Sequence, residues 1–453
     1  MGKLIKMLLG LSVLLVLVLV ITVVGLVMFF DPNEYKDFIV AQVEEKTGRD
    51  FDLTGEIKLS YYPWLDLQVE GITFSNAKDF GEKPFLHADH IAVRIKTMPL
   101  LRKQYELDTL KLHGLQLNLA KNQKGETNWA DLAGPGKEKK TQEPLPFGAV
   151  ILGGVDIKNG QISWFDKQAE QKIKISDLNA STGQLTYGEP IKLNMSLKAE
   201  ANKPALKSDT QLDGILNYDL DTEVYSFNPI NLSVKLSGKN VPGGSTDLLF
   251  KAGVAANLDE DTITVSDLSL DVLGMSIRGN VLANDVSSET PTASGQITIK
   301  GEDLARLVKV LEIEPAATEL ARLNDRSFAI QVKLDADQDK DVVRISSLDA
   351  NLLGTSFKGQ MDLSKLRSDT PAIKGEFMTE GNDLLWLAHL AGQETAAMEL
   401  AKLKDRSFVI KTNLQADMET GKVKIENLDA SLLDTSIKAQ LDASRIQSNT
   451  PAV

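Results

Sequence analysis

The stretch FDLTGEIKL, residues Phe51–Leu59, alternates apolar or small side chains with polar ones at every second position. A period of two places the apolar side chains on one face of a β-strand and the polar ones on the other. The same alternation returns at Leu65–Val69, Ile91–Ile95 and Leu115–Leu119. Because half-buried strands of this kind usually pair antiparallel, the sequence predicts a mainly β protein with short helices and an antiparallel sheet.

A repeat of 80 residues organises the second half of the chain. The copies share a Thr-Pro pair, at Thr290-Pro291, Thr370-Pro371 and Thr450-Pro451. ELARLNDRSF at Glu319–Phe328 also returns as ELAKLKDRSF at Glu399–Phe408. Repetition at a fixed period indicates stacked supersecondary units, so the sequence predicts an elongated, repetitive sheet.

Each copy of the repeat is predicted to hold roughly four alternating strands and two short helices. In the second copy the helices are expected at about Asp383–Leu390 and Thr395–Leu403. The third copy reaches Val453, which aligns with Ile373 at the start of a strand in the second copy. We therefore expect the native chain to continue beyond Val453.

An uncharged apolar segment, Met7–Phe30, precedes the strands. As a helix it would be about 36 Å long, which exceeds the apolar core of a bilayer at about 30 Å. A cleaved secretory signal is the alternative, but its apolar region is shorter and ends in small residues, whereas this one ends in Phe29-Phe30. Lys3 and Lys6 then predict a cytoplasmic N-terminus, with the rest of the chain across the membrane.

A helix should follow the apolar segment. Asp31-Pro32 is a typical helix start, the pattern extends to about Lys46, and Gly48 is a typical stop. Because the polar face is acidic, we expect this helix to pack under the first strands rather than lie on the membrane. The apolar side chains expected in that packing are Tyr35, Phe38, Ile39 and Val43.

These patterns divide the chain into segments. The stretch AGPGKEKKTQEPLP, which begins at Ala133, breaks the alternation with Pro, Gly and Lys and indicates a linker. The predicted segments are a cytoplasmic tail (1–6), a transmembrane helix (7–30), an N-terminal β module (31–132), the linker (133–148), a β-rich middle (149–260) and the repeats (261–453).

Composition excludes several classes of function. The formal net charge of −13 argues against nucleic acid as a partner, and the absence of cysteine excludes thiolate metal sites and cysteine nucleophiles. The sequence has no nucleophile elbow, phosphate-binding glycine loop or zinc-protease helix motif. We therefore expect no enzyme activity, no cofactor and no metal, although a pair of carboxylates on facing strands remains open in principle.

Two weak metal patterns favour other interpretations. His87 and His90 are three residues apart, which puts them on opposite faces of a strand. The stretch Asp335–Asp339 begins like a calcium loop, but Lys340 stands where glycine is required and Ser346 where a glutamate ligand is required. A solvated hairpin turn explains it better.

The predicted helices are too few to cover the apolar face of so much sheet. Three architectures would solve this problem: a two-sheet sandwich, a closed barrel, or a sheet curled into a groove with an apolar lining. An apolar groove on a membrane-tethered protein suits acyl chains, since each buried methylene contributes about 0.8 kcal/mol. The residues alone leave the sandwich and the groove open.

Over most of its length the chain resembles the AsmA family, part of an AsmA-like and TamB-like group related to chorein-type bridge proteins. The resemblance rests on Thr47–Arg49, Leu53–Gly55, Tyr62–Leu65, Gly125–Trp129 and Val155–Asp166, in that order after an anchor helix. It implies a single-pass inner-membrane protein of a Gram-negative bacterium with a periplasmic β-groove. It further implies phospholipid transport towards the outer membrane or maintenance of that membrane, and no catalytic residues.

Nine alternating positions near the anchor are the candidate groove lining. The alternative is that they form a closed core in a scaffold or assembly factor that acts through contacts with outer-membrane or periplasmic proteins. The candidate residues are Ile57, Leu59, Leu65, Leu67, Ile91, Val93, Ile95, Leu115 and Leu117.

Overall fold

The computed structural model describes residues 31–61, 64–101, 105–133, 150–186, 188–219, 221–310, 320, 325–368, 370–390, 394–432 and 435–444. The expected membrane helix Met7–Phe30 lies outside these residues, as does nearly all of the predicted linker. In the part of the chain that is described, no helix is both long and apolar enough to cross a bilayer. The chain forms two compact units, residues 1–207 and 208–453, and the division predicted from the sequence stays a prediction.

The first unit opens with a short helical segment that follows the predicted start and stop signals. A 3₁₀ turn, Pro32–Tyr35, leads into helix α1, Lys36–Thr47. The Asp31 carboxylate accepts a hydrogen bond from the Asn33 backbone N–H at 2.8 Å, and Gly48 ends α1 in the left-handed conformation with φ 69°. The prediction of a capped helix at this place is confirmed.

Helix α1 packs against the first strands as predicted, but through its polar side rather than its apolar one. Polar groups hold the helix against the strand edge: the Asn33 side chain donates to the Ile57 carbonyl at 3.0 Å and accepts from the Ile57 N–H at 2.9 Å. The Lys36 ammonium also donates to the Gly55 carbonyl. The sheet therefore contacts the polar side of the segment. Three of the side chains expected beneath the strands are exposed instead: Tyr35 at 48%, Phe38 at 64% and Ile39 at 37%.

The strands of the first unit form a mixed sheet. They are β1 (Phe51–Leu53), β2 (Ile57–Ser60), β3 (Trp64–Phe74), β4 (Leu86–Lys96), β5 (Tyr105–Leu107), β6 (Leu110–His113), β7 (Gln116–Lys121), β8 (Val150–Leu152), β9 (Val155–Asp166), β10 (Gln171–Thr182) and β11 (Ile191–Asn202). Helix α2 (Thr97–Leu101) follows β4, and a 3₁₀ turn, Ala130–Ala133, follows β7.

The expectation of a wholly antiparallel sheet is corrected here. Most pairs are antiparallel, but β5 pairs with β8 in parallel, and both β6 and β7 pair with β9 in parallel. A parallel pair needs a long crossover rather than a tight turn. The segment between β7 and β9 includes the predicted linker and is long enough to provide one.

The second unit repeats long antiparallel strands. They are β12 (Ala205–Asp219, which begins just before the boundary), β13 (Val224–Ser237), β14 (Ser245–Asn257), β15 (Thr262–Val272), β16 (Met275–Asn284), β17 (Thr292–Gly301), β18 (Phe328–Asp337), β19 (Val342–Leu352), β20 (Thr355–Ser364), β21 (Ala372–Gly381), β22 (Phe408–Asp417), β23 (Lys422–Leu432) and β24 (Thr435–Ala443). From β13 to β24 each strand pairs with the next one along the chain.

Helical insertions recur at the same point of each repeat. Helix α3 (Leu304–Val310) lies between β17 and β18, and helices α4 (Leu385–Leu390) and α5 (Glu394–Leu400) lie between β21 and β22. The two helices predicted for the second copy are confirmed, with slightly shorter bounds. The repeat is therefore a structural unit of strands plus one helical insertion.

A β-bulge interrupts the alternation in the middle of several strands. The register shifts between Val265 and Leu268 in β15, between Ile345 and Leu348 in β19, and between Ile425 and Leu428 in β23. At each point the apolar positions change from odd to even numbers. Because a bulge bends its strand and increases the local twist, bulges spaced by one repeat bend the sheet at the same level in each copy.

Candidate functional site: the apolar face of the sheet

In the first unit, apolar side chains form a row across the sheet. Directly paired residues of adjacent strands lie on the same face. The row passes through seven strands with an apolar residue on each: Ile57, Val69, Ile91, Leu112, Ile157, Ala180 and Met195. A second, shorter row joins Leu59, Leu67 and Val93, and a third joins Leu65, Ile95 and Leu107.

The structure brings seven of the nine predicted lining residues into these rows. Leu117 is paired with Leu86 and Ile162 further along the strands, and Leu115 lies in the turn before β7. The nine residues differ in exposure. Ile57, whose backbone is hydrogen-bonded by the Asn33 side chain (the Asn33 clamp), is 4% exposed, whereas Leu67 is 37% exposed. The lining assignment stays a prediction, with Leu67 the best placed of the nine to meet a ligand.

The second unit carries a longer apolar face, which the sequence-based choice of site residues missed. One row, which we call the central row, runs from β13 to β24 with no charged or hydrogen-bonding side chain. It consists of Phe227, Val254, Val265, Val281, Gly295, Leu334, Ile345, Met361, Gly375, Leu414, Ile425 and Leu441.

The residues of the central row are not fully buried. All of its residues are half-buried except Leu441, which is 39% exposed, so every one of them remains partly accessible. A core residue of a closed sandwich is typically fully buried against a second layer.

Among the described residues, helix α4 contacts the apolar face near one end of the strands. Trp386 of α4 donates from its indole N–H to the Thr355 hydroxyl at 2.9 Å and packs edge-on against Phe357. Thr355 is 1% exposed there, and Phe408 is 2% exposed. A bidentate pair between Arg406 and Asp383 fixes the insertion and holds the pKa of the Asp383 carboxyl below its ordinary value, mainly through the hydrogen bonds from Arg406. Thr355 and Phe408, at the end covered by α4, are therefore fully buried, whereas the side chains of the central row are only partly buried.

A depression of about 1030 Å³ lies where the bulges cross the middle of β19–β24. Its lining is mostly polar, with Lys358, Gln360 and Glu376 among the side chains, and includes the apolar Leu348 and Leu428. No residue of the central row lines it, so the depression is a separate feature of these strands.

A family model, described as AsmA family, matches residues 1–450 of the chain. The chain belongs to the AsmA family. Protein AsmA of Escherichia coli (strain K12) is 26% identical over 106 residues, which is 23% of this chain and 17% of that relative. The chain therefore covers less than a fifth of the length of this curated relative. No solved structure matches the chain.

The histidines on β4 and β6 of this AsmA-family chain contact neighbouring side chains. His90 and His113 pair across β4 and β6 with ring centroids 5.5 Å apart, and His87 contacts Thr73 and Asp89. Within the described ranges no three His, Asp or Glu side chains could hold an ion together. The predicted hairpin turn after Asp335 is confirmed, since the Lys340 N–H donates to the Asp337 carboxylate at 3.0 Å.

Proposed function

We propose that this AsmA-family protein is anchored in the bacterial inner membrane by Met7–Phe30. We further propose that its periplasmic part binds the acyl chains of phospholipids on the apolar face and conducts them between the inner and outer membranes. The proposal includes no catalytic step, because no chemistry is needed to hold or move an apolar chain. Family membership supports a role in envelope assembly or lipid transport.

The accessible central row is the observation that carries this proposal. Each methylene that moves from water onto an apolar surface contributes about 0.8 kcal/mol, so several methylenes give useful affinity without polar recognition. A face that recognises only methylenes accepts many lipids and leaves the headgroup in water. The absence of charge along the row therefore suits a conduit better than a single specific site.

The length of the row suits movement of lipid. At about 4.8 Å between neighbouring strands, the path from β13 to β24 is roughly 50 Å along the face of the second unit. Neighbouring positions offer similar apolar surroundings, so a lipid can shift from one strand to the next without crossing a charged residue. Directionality would come from partners or from a lipid gradient, since the chain carries no nucleotide-binding motif.

Photo-crosslinking in the intact chain tests the proposal. Photoreactive residues at Leu67, Val93 and Met361 should capture phospholipid in cells, detected by mass spectrometry of the purified adduct. A matched position is Gln360, which neighbours Met361 on the same strand but lies on the polar face and is exposed. We expect lipid adducts at Met361 and several-fold fewer at Gln360.

The result that would overturn the proposal is equal capture on the two faces, or no lipid at any position. Protein adducts in place of lipid at Leu67, Val93 and Met361 would instead support the scaffold function with a closed body. A lipid mass spectrum of the detergent-purified chain provides an independent measurement, since the proposal predicts copurifying phospholipid.

A further inference from the structure

The first turns of the helical segment that ends in α1 expose an apolar patch. The patch consists of Phe38, 64% exposed, and Ile39, 37% exposed, together with the ring of Tyr35, 48% exposed. The three residues are spaced so that they lie on one side of the helical segment. The opposite side is fixed to the sheet by Asn33, Lys36 and Glu44, so the patch cannot rotate inward.

The character of the exposed side changes along α1. Its first turns carry Phe38 and Ile39, whereas its last turns carry Glu45 and Lys46, which are also exposed. At a rise of 1.5 Å per residue, Phe38 and Glu45 are about 10 Å apart along the axis. The large apolar side chains are therefore confined to the first turns, and their distance from Glu45 exceeds the roughly 5–7 Å depth of one interfacial layer.

The contacts of α1 also show at which end of the first strands the helical segment begins. Asn33 bonds to Ile57, Lys36 to Gly55 and Glu44 to the Phe51 N–H, so α1 runs opposite to β1 and β2. Residue 31 therefore lies towards the end of the sheet at which β2 ends and β4 finishes. Helix α2 follows β4 at that end and carries Met98, which is 70% exposed.

We infer that the patch of Tyr35, Phe38 and Ile39 seats in the interfacial layer of a lipid bilayer, with Glu45 and Lys46 outside it. This inference rests on the proposed anchor. Only five positions separate Phe30 from Tyr35, so the Tyr35 end of the patch lies within about 18 Å of the end of the apolar segment even if the chain between them is extended. Tyrosine side chains favour the headgroup level of membranes, and apolar side chains such as Phe38 and Ile39 bury next to the acyl chains.

The surrounding charge indicates which surface is preferred. Glu34 and Asp37 are exposed beside the patch, so its attraction to the membrane is apolar rather than electrostatic. A zwitterionic bilayer therefore suits it better than an anionic one. The inference deepens the proposed function, because a seated α1 would fix the first unit at a defined height above the bilayer.

The absence of cysteine allows a direct test with single-cysteine variants of the full chain. Phe38→Cys and Glu45→Cys, the matched control on the same exposed side, are each labelled with an environment-sensitive fluorophore in phosphatidylcholine vesicles. Quenching by a nitroxide-labelled lipid and by aqueous iodide is then compared. We expect several-fold stronger lipid quenching at position 38, and stronger iodide quenching at position 45.

Carbonate extraction separates a failure of the inference from a failure of the anchor on which it rests. If the protein stays with the vesicles after carbonate extraction but position 38 is quenched by iodide as strongly as position 45, the anchor stands and the inference is wrong. If position 38 is shielded from both quenchers, a protein surface covers the patch, which also overturns the inference. If carbonate releases the protein, the anchor and the inference both fail.

Discussion

At the scale of single residues, one buried cation joins distant parts of the first unit. Arg49 is 5% exposed and forms a bidentate pair with Asp131. Its guanidinium also donates to the Asn128 carbonyl and lies 5.4 Å from the ring centroid of Phe74. A planar group with five donors satisfies these partners together, which an ammonium cannot do.

Replacing Arg49 by lysine should therefore destabilise the first unit although the charge is kept. We expect a loss of about 2 kcal/mol, because the Asn128 carbonyl and one Asp131 oxygen lose their donors. Urea denaturation followed by tryptophan fluorescence measures this loss. Arg344→Lys is the control, since Arg344 pairs with Asp362 at the exposed surface; equal effects of the two changes would contradict the role given to Arg49.

The pair with Arg49 also predicts how stability depends on pH. Hydrogen bonds from the guanidinium hold the pKa of the Asp131 carboxyl below its ordinary value. The folded state therefore favours the ionised carboxylate, and this contribution is complete above the ordinary aspartate pKa of about 3.9 and is lost as the pH falls through the lower folded value. The stability difference between the wild type and Asp131→Asn should be largest near neutral pH and shrink in acid. A difference that grows in acid would contradict this sign.

At the scale of elements, the sequence predicted the parts that depend on local pattern. Alternation identified the strands around Leu59 and Val93, and the cap at Asp31 identified α1, because both signals lie within a few neighbouring residues. The face that α1 buries was predicted wrongly, because the side chain of Asn33 decides it by bonding to Ile57, far along the chain. Pairings across the long crossover to β9 escaped prediction for the same reason.

The bulges and the central row also show that local sequence patterns do not reveal contacts between strands that are far apart in the sequence. The change of apolar positions from odd to even numbers between Val265 and Leu268 is visible in the sequence and could have indicated a bulge. The register between neighbouring strands decides which of their residues share a row. Each bulge changes that register. Residues of the central row such as Met361 could therefore not be chosen as site residues from alternation alone.

From the hydrogen bonds of Asn33 we predict that this residue protects the edge strand β2 from pairing with another chain. Its side chain occupies both hydrogen-bonding groups of Ile57, which would otherwise be open to another strand. Asn33→Ala should cause self-association that rises with protein concentration, measured by analytical ultracentrifugation in detergent. Asn194→Ala, at an exposed position of β11, is the control. Sedimentation of Asn33→Ala identical to the wild type at every concentration would contradict the prediction.

At Gly359, beside the bulge of β19, the neighbouring strand approaches so closely that we predict a requirement for glycine. A Cβ on Gly359 would lie 2.5 Å from the Glu376 carbonyl oxygen of the neighbouring strand, whereas a Cβ on Gly183 would meet nothing closer than 3.4 Å. Gly359→Ala should cost about 2 kcal/mol, because backbone must move to accept the methyl group. Gly183→Ala should be nearly neutral in the same thermal unfolding experiment. The requirement for close strand approach at Gly359 would be refuted by equal melting temperatures for the two variants.

At the scale of the whole molecule, the proposal depends on whether the apolar face is open or a closed core, and one charge can distinguish the two. Met361 is half-buried in the central row, and Gln360 beside it is exposed on the opposite face. Burying a carboxylate in a closed core costs several kcal/mol of stability, whereas a carboxylate on an accessible face keeps most of its hydration.

Met361→Glu should therefore leave the free energy of unfolding within about 1 kcal/mol of the wild type. The same change should lower copurifying phospholipid several-fold, because acyl chains no longer cover that position. Gln360→Glu should change neither quantity. Severe destabilisation by Met361→Glu would identify a closed core, and unchanged lipid content in a folded variant would remove the central row from the lipid path.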